Sequence, residues 1–258
     1  MVTFDFAGNV VIVTGINREI GASIAVAFAN AGARVVGVYY GEYDRVAPIV
    51  AANPHIDAIA ADLREVAENY RVVAYATATY GGVDVFIANS GVTVFGSIIE
   101  MTEDHWHQVF DLNMKGTYFG IQAAVKQMLA QGRGGKVVLS SSVTGITAMG
   151  GASIYGTSKA ALRHMAAILG VELGRDGINV NAVAIGATLN DRNLVGDPDY
   201  AENWAKLSPI GRVGMPQDVA DTVLYLCSPI ATMVNGQTIT IDGGWTHTSP
   251  THAKALSQ

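Results

Sequence analysis

The chain has 258 residues, half of them hydrophobic and 15% charged, with 29 glycines; this composition lies outside the disordered and fibrous classes and is ample for a buried core. A net charge of −6 with no Lys/Arg cluster argues against nucleic acid, and a single cysteine, Cys227, excludes an internal disulfide and a cysteine-based zinc site. No run reaches the roughly 18 apolar residues of a membrane span, and MVTFDFAGNVVIVTG opens without a basic leader, so a soluble, cytoplasmic protein is expected.

Short β-branched runs occur at Val10–Val13, Arg34–Tyr39, Ile56–Ala60, Val83–Ala88, Lys136–Ser140, Ile178–Ala184 and Gln237–Ile241. Longer stretches with helical spacing, such as Ile20–Ala31 and Thr102–Gln131, lie between them. The runs are continuously apolar, as when both faces of a parallel sheet are covered. Strand–helix alternation of this kind implies one doubly wound α/β domain spanning 1–258. Only the tail, 246–258, is polar and loosely patterned.

The first run passes directly into Thr14-Gly15-Ile16-Asn17-Arg18-Glu19-Ile20-Gly21 and an alanine-rich helix. A glycine turn there lets backbone amides and the helix N-terminus face a phosphate. Gly15, Asn17, Arg18, Ile20 and Gly21 are therefore candidates to hold a dinucleotide. Glu19 stands where the fingerprint has its middle glycine, and its carboxylate is expected to point to solvent. The second run ends in Tyr39-Tyr40-Gly41, without the acid that reads an NAD ribose, and Arg18 is placed to meet a 2′-phosphate. NADP is expected, with NAD the alternative if Glu42 serves as the ribose acid.

Asp62 and Leu63 close the third run, where an aspartate can meet an adenine amino group. Asn89-Ser90-Gly91 closes the fourth, and Gly91 allows the backbone close to a ligand. Taken singly, each is as well explained as a turn residue or helix cap. Asn113 is a mediocre helix former inside Thr102–Gln131, which implies a specific hydrogen-bonding task or an exposed position.

The stretch Ser142–Lys159, SVTGITAMGGASIYGTSK, carries the chemistry. Tyr155 and Lys159 are four residues apart, so a helix from Ile154 onward stacks a phenol and an ammonium on one face. A phenol is a poor base at neutral pH, and a neighbouring cation favours its phenolate and brings proton transfer within reach. Ser142, thirteen residues before the tyrosine, could hold a substrate oxygen against it. Such pairs are common by chance, so the weight comes from the rest of the chain.

Together these motifs resemble those of a short-chain dehydrogenase/reductase of the roughly 250-residue type. The resemblance runs from Thr14-Gly15 to Ile241-Asp242-Gly243-Gly244 and includes Asp62, Asn89-Ser90-Gly91, Asn113, Ser142, Tyr155-Gly156-Thr157-Ser158-Lys159 and Pro216-Gln217-Asp218-Val219-Ala220. It implies a Rossmann-like fold and NAD(P)-dependent hydride transfer on a secondary alcohol or ketone. It also implies roles: Tyr155 as general acid/base, Lys159 on the tyrosine and the nicotinamide ribose, Ser142 on the substrate oxygen, and Asn113 holding a relay water. Where the family has Pro-Gly after the sixth strand, this chain has Ile185-Gly186-Ala187-Thr188, with Thr188 a candidate for the carboxamide.

The segment 189–207 is the expected substrate lid, polar apart from aromatics such as Tyr200 and Trp204. Thr144, Met149 and Ala152 are expected on the opposite pocket wall, with Trp204 over the substrate. A small hydroxylated substrate, a sugar, polyol or hydroxyketone, is preferred. The alternatives are a 3-oxoacyl carrier-protein-type reductase, whose basic rim would have to come from Arg133, Lys136 and Arg175, and a catalytically idle cofactor-binding member. His105, His107 and His164 have no metal-ligand spacing, and no metal is expected. The apolar surfaces of Thr102–Gln131 and Ile154–Gly174, with the resemblance, imply a homotetramer.

Overall fold

The computed structural model describes residues 4–248 and gathers the seven apolar runs into one parallel sheet. The first half of the chain comprises β1 (Val10–Thr14), α1 (Glu19–Asn30), β2 (Arg34–Tyr39), α2 (Ala47–Ala52), β3 (Ile56–Ala60), α3 (Val66–Tyr80), β4 (Val85–Ala88), α4 (Glu103–Phe110) and α5 (Thr117–Gln131). The second half comprises β5 (Gly135–Ser142), α6 (Ser153–Leu173), β6 (Ile178–Ile185), α7 (Asp191–Gly196), α8 (Tyr200–Leu207), α9 (Pro216–Cys227) and β7 (Thr238–Ile241). Strand order is β3-β2-β1-β4-β5-β6-β7, so the chain reverses direction across the sheet between β1 and β4. Ligands of open α/β sheets bind at such a reversal, outside the carboxyl ends of the strands.

Every residue of β1 and β4 is buried, which explains why these runs read as continuously apolar rather than alternating. α1 and α9 cover one face through Ile24, Phe28, Val219 and Val223. α3, α5 and α6 cover the other through Val72, Ala76, Ile121, Met128 and Leu162. Each large apolar side chain so buried contributes about 1.5–3 kcal/mol.

The expected helix over 102–131 is one rod with an irregularity in the middle. Thr102 caps its start: its hydroxyl accepts from the His105 amide while His105 Nδ1 accepts from the Thr102 amide. Between α4 and α5 the backbone widens into a π-helical turn, Asp111–Gly116, that contains Asn113. Gly116 lets this turn seat closely, since a Cβ there would lie 2.6 Å from the Leu63 carbonyl oxygen. Such turns insert one residue into a helix and re-aim a side chain, often at functional sites.

The segment 189–207 forms α7 and α8 beyond the carboxyl end of β6. Of the expected tail, 246–247 belong to the short turn Trp245–His247, Thr248 follows it, and 249–258 lie outside the described residues.

Candidate active site

Two adjoining cavities, of about 560 and 500 Å3, open along the carboxyl ends of the strands and share Ile20, Asn89, Gly91, Thr93, Asn190 and Arg192 in their walls. The first follows the glycine turn after β1. The second lies between the carboxyl end of β5, α6 and the α7–α8 segment.

Thr14 ties the turn to the strand across the reversal. Its hydroxyl donates to the Ile87 carbonyl and accepts the amides of Asn89 and Ser90 at 2.9 Å each. Gly15 has φ +78°, the left-handed conformation glycine tolerates, and a Cβ on Gly21 would lie 2.1 Å from the Gly15 carbonyl oxygen. Arg18, the N-cap of α1, makes no side-chain cap, so the first-turn amides keep free donors toward an anion. A close-approach backbone cradle beside an uncapped helix start fits a dinucleotide phosphate. Gly15, Asn17, Arg18, Ile20, Gly21, Tyr39, Leu63, Asn89 and Gly91 all line this cavity.

Two residues of the turn behave differently from expectation. Glu19 does not simply face solvent: its Oε1 accepts the Asp191 amide at 3.2 Å and lies 3.9 Å from Arg45. The carboxylate thus bridges the glycine turn to the start of α7 instead of opposing a phosphate. Arg18 is ion-paired with Glu42 at 3.2 Å, and Arg45 holds Glu42 from the other side at 3.3 Å.

Asp62 does not line the cavity. Its carboxylate is held in a fork by Arg64, with Nε at 2.9 Å and Nη2 at 2.6 Å, which keeps it below the ordinary carboxylate range. Arg64 takes its place on the wall, its guanidinium 5.3 Å from the centre of the Tyr40 ring. Arg64, four residues past the end of β3, carried no sequence pattern of its own.

In the second cavity, α6 brings Tyr155 and Lys159 together as the four-residue spacing requires, with the Lys159 Nζ 5.7 Å from the Tyr155 ring centre. Lys159 is 5% exposed and donates to the Ser140 carbonyl at 2.7 Å. No carboxylate pairs with it among the described residues, and burial pushes the ammonium below its usual pKa.

The three serines are now distinguishable. Ser140 donates to Asn89 Oδ1, and Ser141 donates to the Lys159 carbonyl at 2.7 Å. Ser142 Oγ instead accepts from the Thr144 amide and hydroxyl, at 3.2 and 3.0 Å, which leaves its own proton to donate into the cavity.

Asn113 is fully buried and lines neither cavity. Its side chain exchanges both bonds with the Val92 backbone, accepting at 2.8 Å and donating at 3.0 Å, and donates to Ser158 at 3.2 Å. The Ser158 hydroxyl in turn donates to the Tyr155 carbonyl. A Cβ on Gly91 would lie 3.2 Å from Asn113 Oδ1 and 3.3 Å from Lys159 Nζ, so glycine lets these two groups approach the β4 edge.

Thr144, Met149 and Trp204, expected at the substrate, and Ile185, Gly186 and Thr188, expected at the cofactor, all line the second cavity, whereas Ala152 is buried away from it. Phe95 and Trp245 had no sequence signal: Phe95 stacks edge-on to Tyr155 at 6.0 Å, and Trp245 to Trp204 at 5.3 Å. Asp242 places Trp245 by accepting the Gly244 and Thr246 amides. The basic residues considered for a carrier rim lie elsewhere. Arg133 pairs with Asp84, Lys136 donates to Asn179, and both, with Arg175, sit at the amino-terminal edge of the sheet. The eight residues of β5, a rise of about 3.3 Å each, separate that edge from Ser142.

Comparison with known proteins agrees with this geometry. A family model described as enoyl-(acyl carrier protein) reductase matches residues 15–246. A 2-dehydro-3-deoxy-D-gluconate 5-dehydrogenase of Dickeya dadantii is 34% identical over 248 residues, covering 94% of this chain and 97% of its own. An L-rhamnose 1-dehydrogenase (NAD(P)(+)) of Sphingomonas sp. is 32% identical, with 92% and 96% covered. A crystal structure from Agrobacterium tumefaciens with bound NADP, described as a candidate 2-deoxy-D-gluconate 3-dehydrogenase, is 29% identical with a TM-score of 0.87, covering 96% of this chain and 100% of its own.

The unpaired buried ammonium sets one expectation. Lys159→Met removes a desolvated charge and one hydrogen bond, so unfolding free energy at pH 7 stays within about 1 kcal/mol of the parent, while turnover falls at least about 100-fold. The unfolded chain binds the Lys159 proton up to its ordinary pKa of 10.5, and the folded chain releases it earlier. The parent therefore gains stability over the Met variant as pH rises through that window. Denaturant unfolding of both proteins at neutral and alkaline pH checks the sign; a large loss of stability in the variant would contradict it.

Proposed function

The chain belongs to the short-chain dehydrogenase/reductase family and is an oxidoreductase of CH–OH groups; from this premise we propose that it uses NADP and a small polyhydroxylated alcohol or ketone. One observation carries the reading: Tyr155 and the free proton of Ser142 face the same cavity of about 500 Å3, with Lys159 behind the phenol. Relatives that act on a sugar acid and on a sugar support the substrate class. The polar side chains of Thr93, Asn190 and Asn193 stand along the same wall.

Bound nicotinamide supplies or accepts the hydride. Tyr155 gives its proton to the carbonyl oxygen in reduction and takes it back from the hydroxyl in oxidation. Ser142 donates to the same oxygen and stabilises the charge that develops on it. Lys159 favours the phenolate electrostatically and would hold the nicotinamide ribose. Asn113 fixes Val92 and Ser158 and keeps a second Oδ1 lone pair for a relay water. The segment 189–207 acts as the lid, held at its start by Glu19.

Arg18 beside the glycine turn, the absence of an acid at the end of β2, and a neighbour solved with NADP support that nucleotide. Glu42 holds Arg18 in the structure described, so a 2′-phosphate would have to displace this carboxylate to reach the guanidinium. The cradle is built from Gly15, Gly21, Asn89 and Gly91, with Ile185, Gly186 and Thr188 at the nicotinamide end. Exposed apolar residues on α5 and α6, such as Tyr118, Leu129, Ile168 and Val171, support a homotetramer built on these helices.

Calorimetric titration should show NADPH binding at least about tenfold more tightly than NADH, a difference of about 1.4 kcal/mol; equal affinities would remove Arg18 from its role. In a panel of sugars, polyols and hydroxyketones followed at the nicotinamide absorbance, Tyr155→Phe should lose at least about 100-fold in kcat while still binding NADPH. An unchanged rate would sink the assignment of Tyr155. Sedimentation should give a species of four chains, and a monomer at micromolar concentration would exclude the tetramer.

A further inference from the structure

The wall of the second cavity has an unusual charge inventory. Among the described residues its ionic side chains are Lys159 and Arg192, and no aspartate or glutamate lines it. Lys159 is spoken for, donating to the Ser140 carbonyl behind Tyr155. Arg192 is different: among the described residues its guanidinium makes no hydrogen bond and no ion pair, although it stands on the first turn of α7 with carboxylates nearby.

Those carboxylates are occupied with other partners. Asp191, the preceding residue, pairs with Arg45 at 3.1 Å, and its amide donates to Glu19. Consecutive helical residues point about 100° apart, so with Asp191 turned to the glycine turn, Arg192 is directed to a different side of α7. Arg192 lines both cavities, at the place where they adjoin, and its reach into the second is marked by Tyr200. Tyr200, which lines the second cavity and not the first, is raised by burial above the ordinary tyrosine value, and the Arg192 charge works in the opposite direction on it. Asn190, Asn193 and Trp204 line the same cavity.

A free guanidinium, with five donors in a planar fork, matches a carboxylate in two parallel hydrogen bonds. In a cavity without a competing acid, such a group leaves neutral ligands with an unused charge and gives an anionic ligand its partner. We propose that Arg192 is the specificity-determining residue of the site and that the substrate is a polyhydroxylated carboxylate of the aldonate type, held by its carboxylate at Arg192 with the reacting carbinol at Tyr155. The proposal rests on the polyhydroxylated-substrate reading above and narrows it from sugars and polyols to sugar acids. Tyr155 and Ser142 do the proton chemistry at one end, and the lid cation orients the other.

The test uses the full-length enzyme saturated with NADPH, so that a reduced ligand forms a stable dead-end complex. Five- and six-carbon aldonates of several configurations are titrated calorimetrically, each against the alditol of the same configuration, which differs in having CH2OH where the aldonate has a carboxylate. At least one aldonate should bind about 10- to 100-fold more tightly than its alditol. Arg192→Gln should abolish that difference while leaving alditol and NADPH affinities within about twofold, and Arg192→Lys should restore part of it. Alditols that bind the parent as tightly as aldonates would overturn the proposal and leave the broader substrate class standing. An Arg192→Gln variant that weakens NADPH as much as aldonate would also overturn it, assigning the arginine to the cofactor phosphates. Failure of every aldonate and alditol to bind would overturn the polyhydroxylated reading itself, and this proposal with it.

Discussion

The site depends on one buried ammonium. Lys159 reaches from α6 to the Ser140 carbonyl on β5, while Ser141 returns a bond to the Lys159 carbonyl, so helix and strand are fastened by two reciprocal links. Burial of a cation without a carboxylate partner is costly. That cost is tolerated here because the same charge lies against the Tyr155 ring and beside Gly91 and Asn113. The constraint also sorts the serines: two are consumed in holding the framework, and Ser142 alone keeps a proton to donate toward a substrate. Chemistry and packing are coupled through a residue that stability alone would not select.

A second constraint acts where the sheet reverses. Thr14 and the glycines after it bring the β1 turn, the end of β4 and the start of α1 close enough for backbone to meet a phosphate. Glu19, standing where a glycine is usual in the family, joins this region to Arg45 and to the start of α7. Each link in that surface network is worth little in water, about 0–1 kcal/mol. Its effect is positional: it ties the glycine turn to the start of α7, and by holding Asp191 it leaves the neighbouring Arg192 without a partner among the described residues, where the two cavities adjoin.

Much of this was legible beforehand. The β2 and β3 boundaries, Arg34–Tyr39 and Ile56–Ala60, follow directly from β-branched runs, and the i, i+4 spacing placed phenol and ammonium correctly. The helix over 102–131 was read with its ends right, because Thr102 and Gly132 are local signals. Its π-helical turn was not, since a one-residue insertion leaves the apolar spacing nearly unchanged. Asp62 illustrates another limit. Its place at the end of β3 suggested an adenine contact, but Arg64, two residues on, holds the carboxylate in a fork and takes the position on the cavity wall.

The sequence by itself determined the parallel sheet, the glycine turn and the Tyr155–Lys159 pair, all of which arise from local periodicity or short spacing. Only the tertiary structure decided which of three adjacent serines is free, where Glu19 points, and which arginine beside the cavities is left without a partner among the described residues. Those outcomes turn on partners far along the chain: Ser141 with Lys159, Ser140 with Asn89, Glu19 with Asp191. A hydrogen bond between residues 172 positions apart leaves no period in a sequence; it exists only once the sheet has brought its two ends together.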